Sequence, residues 1–330
     1  MIVLSGSEQP ALPPNVTETV ATVGTFDGVH LGHQDVLARL VACARERGRP
    51  SLLVTFEPHP LEVIRPEAAP LLLTTCDEKV ALLRETGLDL LAILPFTREL
   101  SQLPAERFVD EILRSRFRMA ELLIGHDHGF GRGREGDITL LRELGTSRGF
   151  QVDVVPPVVT VLGEPVSSSV VRRAVAAGDL EQARALLGRW YSVRGRVVSG
   201  DARGRLLGYP TLNLDPAAPR KLLPPDGVYA VEVSGSQGRF GGMMNLGGRP
   251  TFGDESRRLE AHLFDASGDF YGDHVVVAFV ARLRDTMKFS GPDALVAQLR
   301  RDADAARSAL TALGQPGNLD GSTHVPPSTP

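Results

Sequence analysis

Cysteine, tryptophan and lysine are scarce in this 330-residue chain: two cysteines, one tryptophan, and only three lysines among 36 basic residues. Cys43 and Cys76 are too few for a disulfide scaffold and form no CxxC-type zinc pattern, so a reducing cytoplasm is the expected setting. The longest apolar run, residues 275–281, is far shorter than the roughly 20 residues that span a bilayer. The first 14 residues have neither a basic start nor a sustained apolar stretch, and no export leader or membrane association is expected. A large excess of charge of one sign is also missing. A net charge of −4 offers no support for coating nucleic acid. The preference for arginine over lysine follows from codon composition as readily as from phosphate chemistry.

What is present is enough chain, 42% apolar, for two sizeable cores. Between residues 19 and 161, short apolar runs alternate with helical stretches, the pattern of a doubly wound parallel sheet. Strands are predicted at residues 20–25, 52–56, 88–94, 122–125 and 152–155. The first helix is predicted from Val36, Leu37, Leu40, Val41 and Ala44, with Gly48 as its stop. Further helices are expected at 77–85 and 105–114, and another between the last two strands. A Ser-rich segment then leads into two short helices broken at Gly178. Beyond Trp190, five or six short strands separated by Gly-rich turns predict a small antiparallel barrel, capped by a helix near 292–308 that carries Leu295, Val296, Leu299 and Ala306 on one side. Residues 314–330 are rich in Pro, Gly, Ser and Thr and read as a disordered tail.

The densest chemistry is GTFDGVHLGH, residues 24–33, between the first strand and first helix. Helix N-termini offer free N–H groups and partial positive charge; Gly28 and Gly32 admit a ligand close to the backbone, and two imidazoles can donate to phosphate oxygens. This reads as a nucleotide-phosphate cradle at the carboxyl edge of the sheet. Two other readings stay open on the residues alone. His30 and His33 could be zinc ligands, although no third ligand of recognisable spacing accompanies them, or a structural pair satisfied within a turn. Five of the eight histidines, His30, His33, His59, His126 and His128, fall just after predicted strands of this half, which favours a site.

In the second half, four glycines (Gly195, Gly200, Gly204, Gly208) precede Tyr209-Pro210-Thr211-Leu212-Asn213. On an extended chain Thr211 and Asn213 face the same side, so a hydroxyl and an amide oxygen can reach one hard cation. Glu260, His262 and Phe264 share one face of a predicted strand, opposite Leu259, Ala261 and Leu263. Glu260 is therefore either a solvated strand residue or a carboxylate aimed at a site.

These motifs resemble, in order, those of the prokaryotic bifunctional riboflavin kinase/FMN adenylyltransferase (FAD synthetase) family. GTFDGVHLGH carries the HxGH nucleotidyltransferase signature, and TFEPHP (55–60), GHDHGFGRGREGD (125–137) and SSSVVR (167–172) follow it. In the second half, GDARGRLLGYPTLNL contains the kinase PTxN motif; DGVYAVEV, NLGGRPTFG, LEAHLFD and YGDHVVVAFVARLRD come after. The resemblance implies a Rossmann-like nucleotidyltransferase domain at residues 1–187, a β-barrel riboflavin kinase domain at 188–310 and a disordered tail at 311–330. It implies Mg²⁺ as cofactor and ATP as co-substrate, with riboflavin, FMN and FAD as the other small-molecule partners.

It also implies roles. His30 and His33 contact ATP phosphates, and Ser167, Ser168 and Arg172 hold them from the opposite side. Gly24, Phe26, Asp27, Gly28 and Gly32 shape the nucleotide pocket, and Asp127 contacts adenosine or ribose. Thr211 and Asn213 bind Mg²⁺, Gly200, Gly204 and Gly208 serve the nucleotide loop, Glu260 is the base, and Arg284 and Phe289 lie on the flavin side. The chain departs from the usual family text at Ser169, His128, Leu212 and Thr286. A flavin sensor without turnover, a monofunctional descendant and a nucleotidyltransferase for another acceptor remain competing readings, and no oligomeric state is implied.

Overall fold

The structure is a computed structural model and describes residues 1–5, 11–126, 129–160, 163–199, 208–216, 218–248 and 257–312. It forms two compact units, Met1–Arg172 with Leu186–Gly188, and Arg173–Ala185 with Arg189 onward.

The first unit is built on six parallel strands: β1 (Ile2–Leu4), β2 (Thr19–Val23), β3 (Ser51–Glu57), β4 (Leu90–Pro95), β5 (Met119–Gly125) and β6 (Gln151–Val155), in the order β1-β4-β3-β2-β5-β6. Successive residues feed opposite faces. Ala21, Val23, Leu52 and Val54 join one core cluster, and Val20, Leu53, Leu91 and Leu123 join the other. Helix α1 (Leu31–Glu46) and helix α3 (Cys76–Arg84), which follows the short α2 (Pro60–Ile64), cover the second cluster. The first cluster is covered by α5 (Ala105–Arg107), which follows the single turn α4 (Arg98–Ser101), by a π-helical continuation at Phe108–Arg116, and by α6 (Ile138–Arg148). Both faces are thus closed, which is why β2 and β3 read as nearly unbroken apolar runs.

Helix α1 buries Val36, Leu37, Leu40, Val41 and Ala44, the five positions its periodicity predicts. Helix α3 starts one residue before its predicted span, on a Thr75/Glu78 capping box. Strand β1 was not expected: three residues are too few to show a period, and only parallel pairing with β4 defines it. The sheet order reverses between β2 and β5. A crevice for ligands opens at the carboxyl ends of strands flanking such a switch point.

Helices α7 (Ser168–Ala177) and α8 (Leu180–Leu187) are separated at Gly178, whose φ of 76° suits glycine. Strands β7 (Ser192–Val198), β8 (Leu212–Pro216), β9 (Gly227–Gly235), β10 (Gly238–Gly248), β11 (Arg257–Leu263) and β12 (His274–Arg284) then close an antiparallel barrel in the order β10-β11-β8-β7-β12-β9. The expected barrel is present, and its unpredicted strand, β8, contains two residues of the PTLN motif itself. The capping helix α9 (Pro292–Ala312) packs Leu299, Ala303, Ala306 and Leu310 against Ala230, Met243, Phe264 and Val280. Of the predicted apolar side, Leu299 and Ala306 belong to this cluster. Of the tail expected at 311–330, residues 311 and 312 belong to α9 instead, and the rest lies outside the described residues.

Candidate functional sites

The carboxyl end of β2 runs straight into the loop of residues 24–33, placing it at the switch point. Phe26, Asp27, Val29 and His30 are all buried there, and Gly28 lies at φ 82° with a hypothetical Cβ only 2.7 Å from Leu73 Cδ1. Asp27 is the hub. Its Oδ2 accepts from Leu73 N at 3.0 Å and from Arg172 Nη2 at 2.5 Å, and its Oδ1 accepts from Thr74 N at 2.9 Å and Thr74 Oγ1 at 3.0 Å. Its backbone carbonyl accepts from Ser168 Oγ at 2.9 Å. The first residue of α7 and the segment around Leu73 are thereby tied to the loop. Arg172 also donates from Nε to Leu71 O at 2.9 Å.

His30 is the N-cap of α1: its Nδ1 accepts from His33 N at 3.3 Å. Histidine is not a preferred capping residue, and using it here has a chemical effect. A ring nitrogen that accepts carries no proton, so the neutral imidazole holds its proton on Nε2 as a donor. His33 stacks on His30 with ring centroids 3.7 Å apart, and Phe26 packs on His33 at 4.6 Å. The two imidazoles therefore lie as a fixed pair over the N-terminus of α1, suited to anionic oxygens.

Beside this loop, a small depression is lined by Thr25, Asp27, Glu57, His59, Thr74 and Lys79, among others. His59 repeats the device of His30: as N-cap of α2 its Nδ1 accepts from Leu61 N at 3.2 Å. Burial holds its pKa below the usual histidine range, against the pull of Asp27. Burial also pushes the Glu57 carboxyl up and the Lys79 ammonium down. Lys79 carried no motif in the sequence. Its helix was expected, but its burial is visible only in the fold.

In the barrel, strand register makes the second site. Glu260 on β11 lies directly opposite Asn213 on β8, and opposite Asn245 on β10. Opposed residues of antiparallel strands have Cβ atoms about 5 Å apart, so the carboxylate and the amide share one spot. Thr211 immediately precedes β8. Among the described residues, the side chains of Thr211 and Asn213 carry no hydrogen bond. Glu260 is half-buried and 3.5 Å from Arg258 Nη1. Its neighbour on that face, His262, bonds Pro210 O through Nδ1 at 2.8 Å and meets Tyr209 edge to face at 5.1 Å, which ties the PTLN segment to β11.

The structure thus brings together Gly24, Phe26, Asp27, Gly28, His30, Gly32, His33, Ser168 and Arg172 in one place, and Thr211, Asn213 and Glu260 in another. Ser167 Oγ accepts from Val170 N at 3.4 Å, acting as a cap for α7. Gly208, at φ 81°, lies just before the PTLN segment. Arg284 holds Asp302 of α9 through Nε and Nη2, the closest contact being 2.6 Å, and its guanidinium lies 5.9 Å from the Phe289 ring. Asp127, His128, Gly200 and Gly204 lie outside the described residues.

Comparison with known proteins matches each unit separately. Residues 12–170 fit the family model for FAD synthetase and residues 187–310 that for riboflavin kinase. The bifunctional riboflavin kinase/FMN adenylyltransferase of Escherichia coli (strain K12) is 39% identical over 289 residues, covering 87% of this chain and 91% of that protein. Its counterpart from Pseudomonas fluorescens is 40% identical over 298 residues, covering 90% and 94%. A Streptococcus pneumoniae crystal structure described as a macrolide-efflux protein superposes with a TM-score of 0.83 at 32% identity, covering 93% of this chain and 99% of that one. The efflux in that description is said of that protein alone. Here, among the described residues, no helix is long and apolar enough to cross a membrane. With both halves matched in order along nearly the whole length, this chain belongs to the bifunctional riboflavin kinase/FMN adenylyltransferase family.

Proposed function

We infer that one polypeptide makes FMN from riboflavin in its barrel and FAD from FMN in its α/β unit, with ATP as co-substrate in each reaction. The observation that carries this reading is the presence, in one chain, of an imidazole pair at a sheet switch point and a carboxylate opposed to Asn213 across two barrel strands. We assign residues 1–187 to adenylyl transfer and 188–310 to the kinase, and place both reactions in the cytoplasm, where the free thiols Cys43 and Cys76 stay reduced.

In the kinase reaction, the ribityl 5′-hydroxyl oxygen forms a bond to the γ-phosphorus of ATP as the bond to ADP breaks. A neutral alcohol is a poor nucleophile and must lose its proton as it attacks; Glu260 accepts that proton. Thr211 and Asn213 would hold Mg²⁺: both offer neutral oxygens, uncommitted among the described residues, beside a carboxylate. When bound, that ion neutralises charge on the ATP phosphates.

In the second reaction, an FMN phosphate oxygen attacks the α-phosphorus of another ATP, and pyrophosphate leaves. The attacker is already largely ionised near neutral pH, because a phosphate monoester has its second pKa near 6. No base is needed. The protein aligns the partners and stabilises negative charge as it builds up, using the Nε2–H of His30, the stacked His33 and the N-terminus of α1. Ser168 and Arg172 close the far side.

Incubation of the purified chain with riboflavin and MgATP, followed by chromatography, tests the reading: FMN appears, then FAD, with ADP and pyrophosphate as co-products. Unchanged riboflavin at saturating ATP favours a flavin sensor instead. FMN without FAD favours a monofunctional kinase.

A further inference from the structure

Two non-glycine residues of the loop in the α/β unit occupy the left-handed region, Phe26 at φ 48° and Val29 at φ 39°. For a β-branched residue this is a strained conformation, with a cost on the order of 1–3 kcal/mol, and it persists only where neighbours over-determine it. The restraints can be traced. Gln34 Nε2 donates to Val29 O at 2.9 Å, and Gly28 N donates to Thr74 Oγ1 at 3.0 Å. At the start of the loop, the carbonyl of Thr25 accepts twice, from Thr55 Oγ1 at 3.2 Å and from Lys79 Nζ at 3.2 Å. Lys79 Nζ also donates to Thr55 Oγ1 at 3.3 Å, closing a triangle that joins the ends of β2 and β3 to α3.

Three features single out Lys79. It is only 6% exposed, and keeping an ammonium there costs solvation. It is one of three lysines in a chain that otherwise uses arginine for its cations. A compact ammonium with three rotatable donors suits two acceptors close together, whereas a guanidinium is a broad planar fork. Within one planar trans peptide the C=O and N–H point in opposite directions. Pinning the Thr25 carbonyl toward Lys79 therefore turns the Phe26 N–H away from it. Among the described residues that N–H has no acceptor. The charged groups facing the ammonium are Asp27 on the loop and Glu57 on β3, with the Cys76 thiol on α3; none of them donates to Thr25 O in its place.

We propose that Lys79 is a positioning residue for adenylyl transfer, fixing the Thr25–Phe26 peptide and through it the loop that carries His30 and His33. The proposal rests on assigning adenylyl transfer to this unit. Lys79 does not touch the reacting atoms; it sets the geometry in which they meet, and displacements of about 1 Å at such a site cost on the order of 100-fold in rate.

The test uses the full-length chain and measures FMN formation from riboflavin separately from FAD formation from supplied FMN. For Lys79→Met, kcat for FAD formation is expected to fall about 100-fold, with KM for ATP and FMN held within about threefold and FMN formation unchanged. A second variant, Lys79→Ala, is assayed with and without ethylamine; the amine restores part of kcat in the variant and none in the wild type. FAD formation by Lys79→Met within about threefold of wild type overturns the proposal. So does a loss that no amine restores, or a rise in KM with kcat intact, because either assigns Lys79 to the fold of the unit alone. Failure of the wild type to make FAD from FMN is a different result, and removes the adenylyltransferase reading itself.

Discussion

The two proposed phosphate-transfer sites are built in opposite ways. In the α/β unit the reactive loop is buried and nearly every polar group is committed to another element: Asp27 to Leu73, Thr74 and Arg172, Thr25 to Lys79, Val29 to Gln34. In the barrel, Glu260 is half-buried on a strand face, and the side chains of Thr211 and Asn213 are uncommitted among the described residues. The contrast follows the nucleophiles. An anionic phosphate needs alignment, and alignment is served by a rigid, over-restrained frame. An alcohol needs a proton acceptor, the role proposed for the Glu260 carboxylate.

The sharpest way to break this comparison is Glu260→Gln, which keeps size and removes the acceptor. FMN formation is expected to fall by roughly 10²- to 10⁴-fold while FAD formation from supplied FMN is unchanged. His33→Ala is the mirror experiment: FAD formation falls by about 10²- to 10³-fold and FMN formation stays. Equal loss of both activities in either variant would contradict two independent chemistries.

The rigid-frame half of the comparison is sharpened by Asp27→Asn. Removing one partner of a buried ion pair costs about 3–5 kcal/mol. Calorimetry of the variant should show the transition of the α/β unit moved down and that of the barrel unmoved.

The smallest effect concerns Glu121, Asp153 and Cys43, a cluster in the α/β unit that joins α1, β5 and β6. Cys43 Sγ donates to Glu121 Oε1 at 3.0 Å and Arg47 Nε donates to Oε2 at 3.0 Å. Burial, with the adjacent Glu121, pushes the Cys43 thiol up to about 12. Burial and the bond and charge of Glu121 likewise raise Asp153, whereas Glu121, despite its burial, is held low by bonds from Cys43 and Arg47. A carboxyl raised by folding favours the native state at pH below its unfolded pKa, and that contribution is lost as pH rises through the folded value. Asp153→Asn should therefore melt slightly above the wild type at about pH 8, with the gap closing as pH falls toward about 4.

Much of this was legible in the sequence because it was local. The period of α1 gave its five core positions, and GTFDGVHLGH lies between a strand and a helix as expected, where the first site is proposed. Strand β1 was not legible, being defined only by its partner β4. Nor was β8 predicted as a strand, although Thr211 and Asn213 were read on an extended chain.

What the sequence alone determined is the chemistry on offer: which residues carry imidazole, carboxylate, hydroxyl and amide, and which secondary elements bear them. The tertiary structure decided which of these act together. Glu260 meets Asn213 only through the register of β8 and β11, Lys79 reaches Thr25 only because α3 packs against the ends of β2 and β3, and Arg284 is bound to Asp302 by the docking of α9. Such contacts depend on how distant segments pack, and no local periodicity or propensity encodes them.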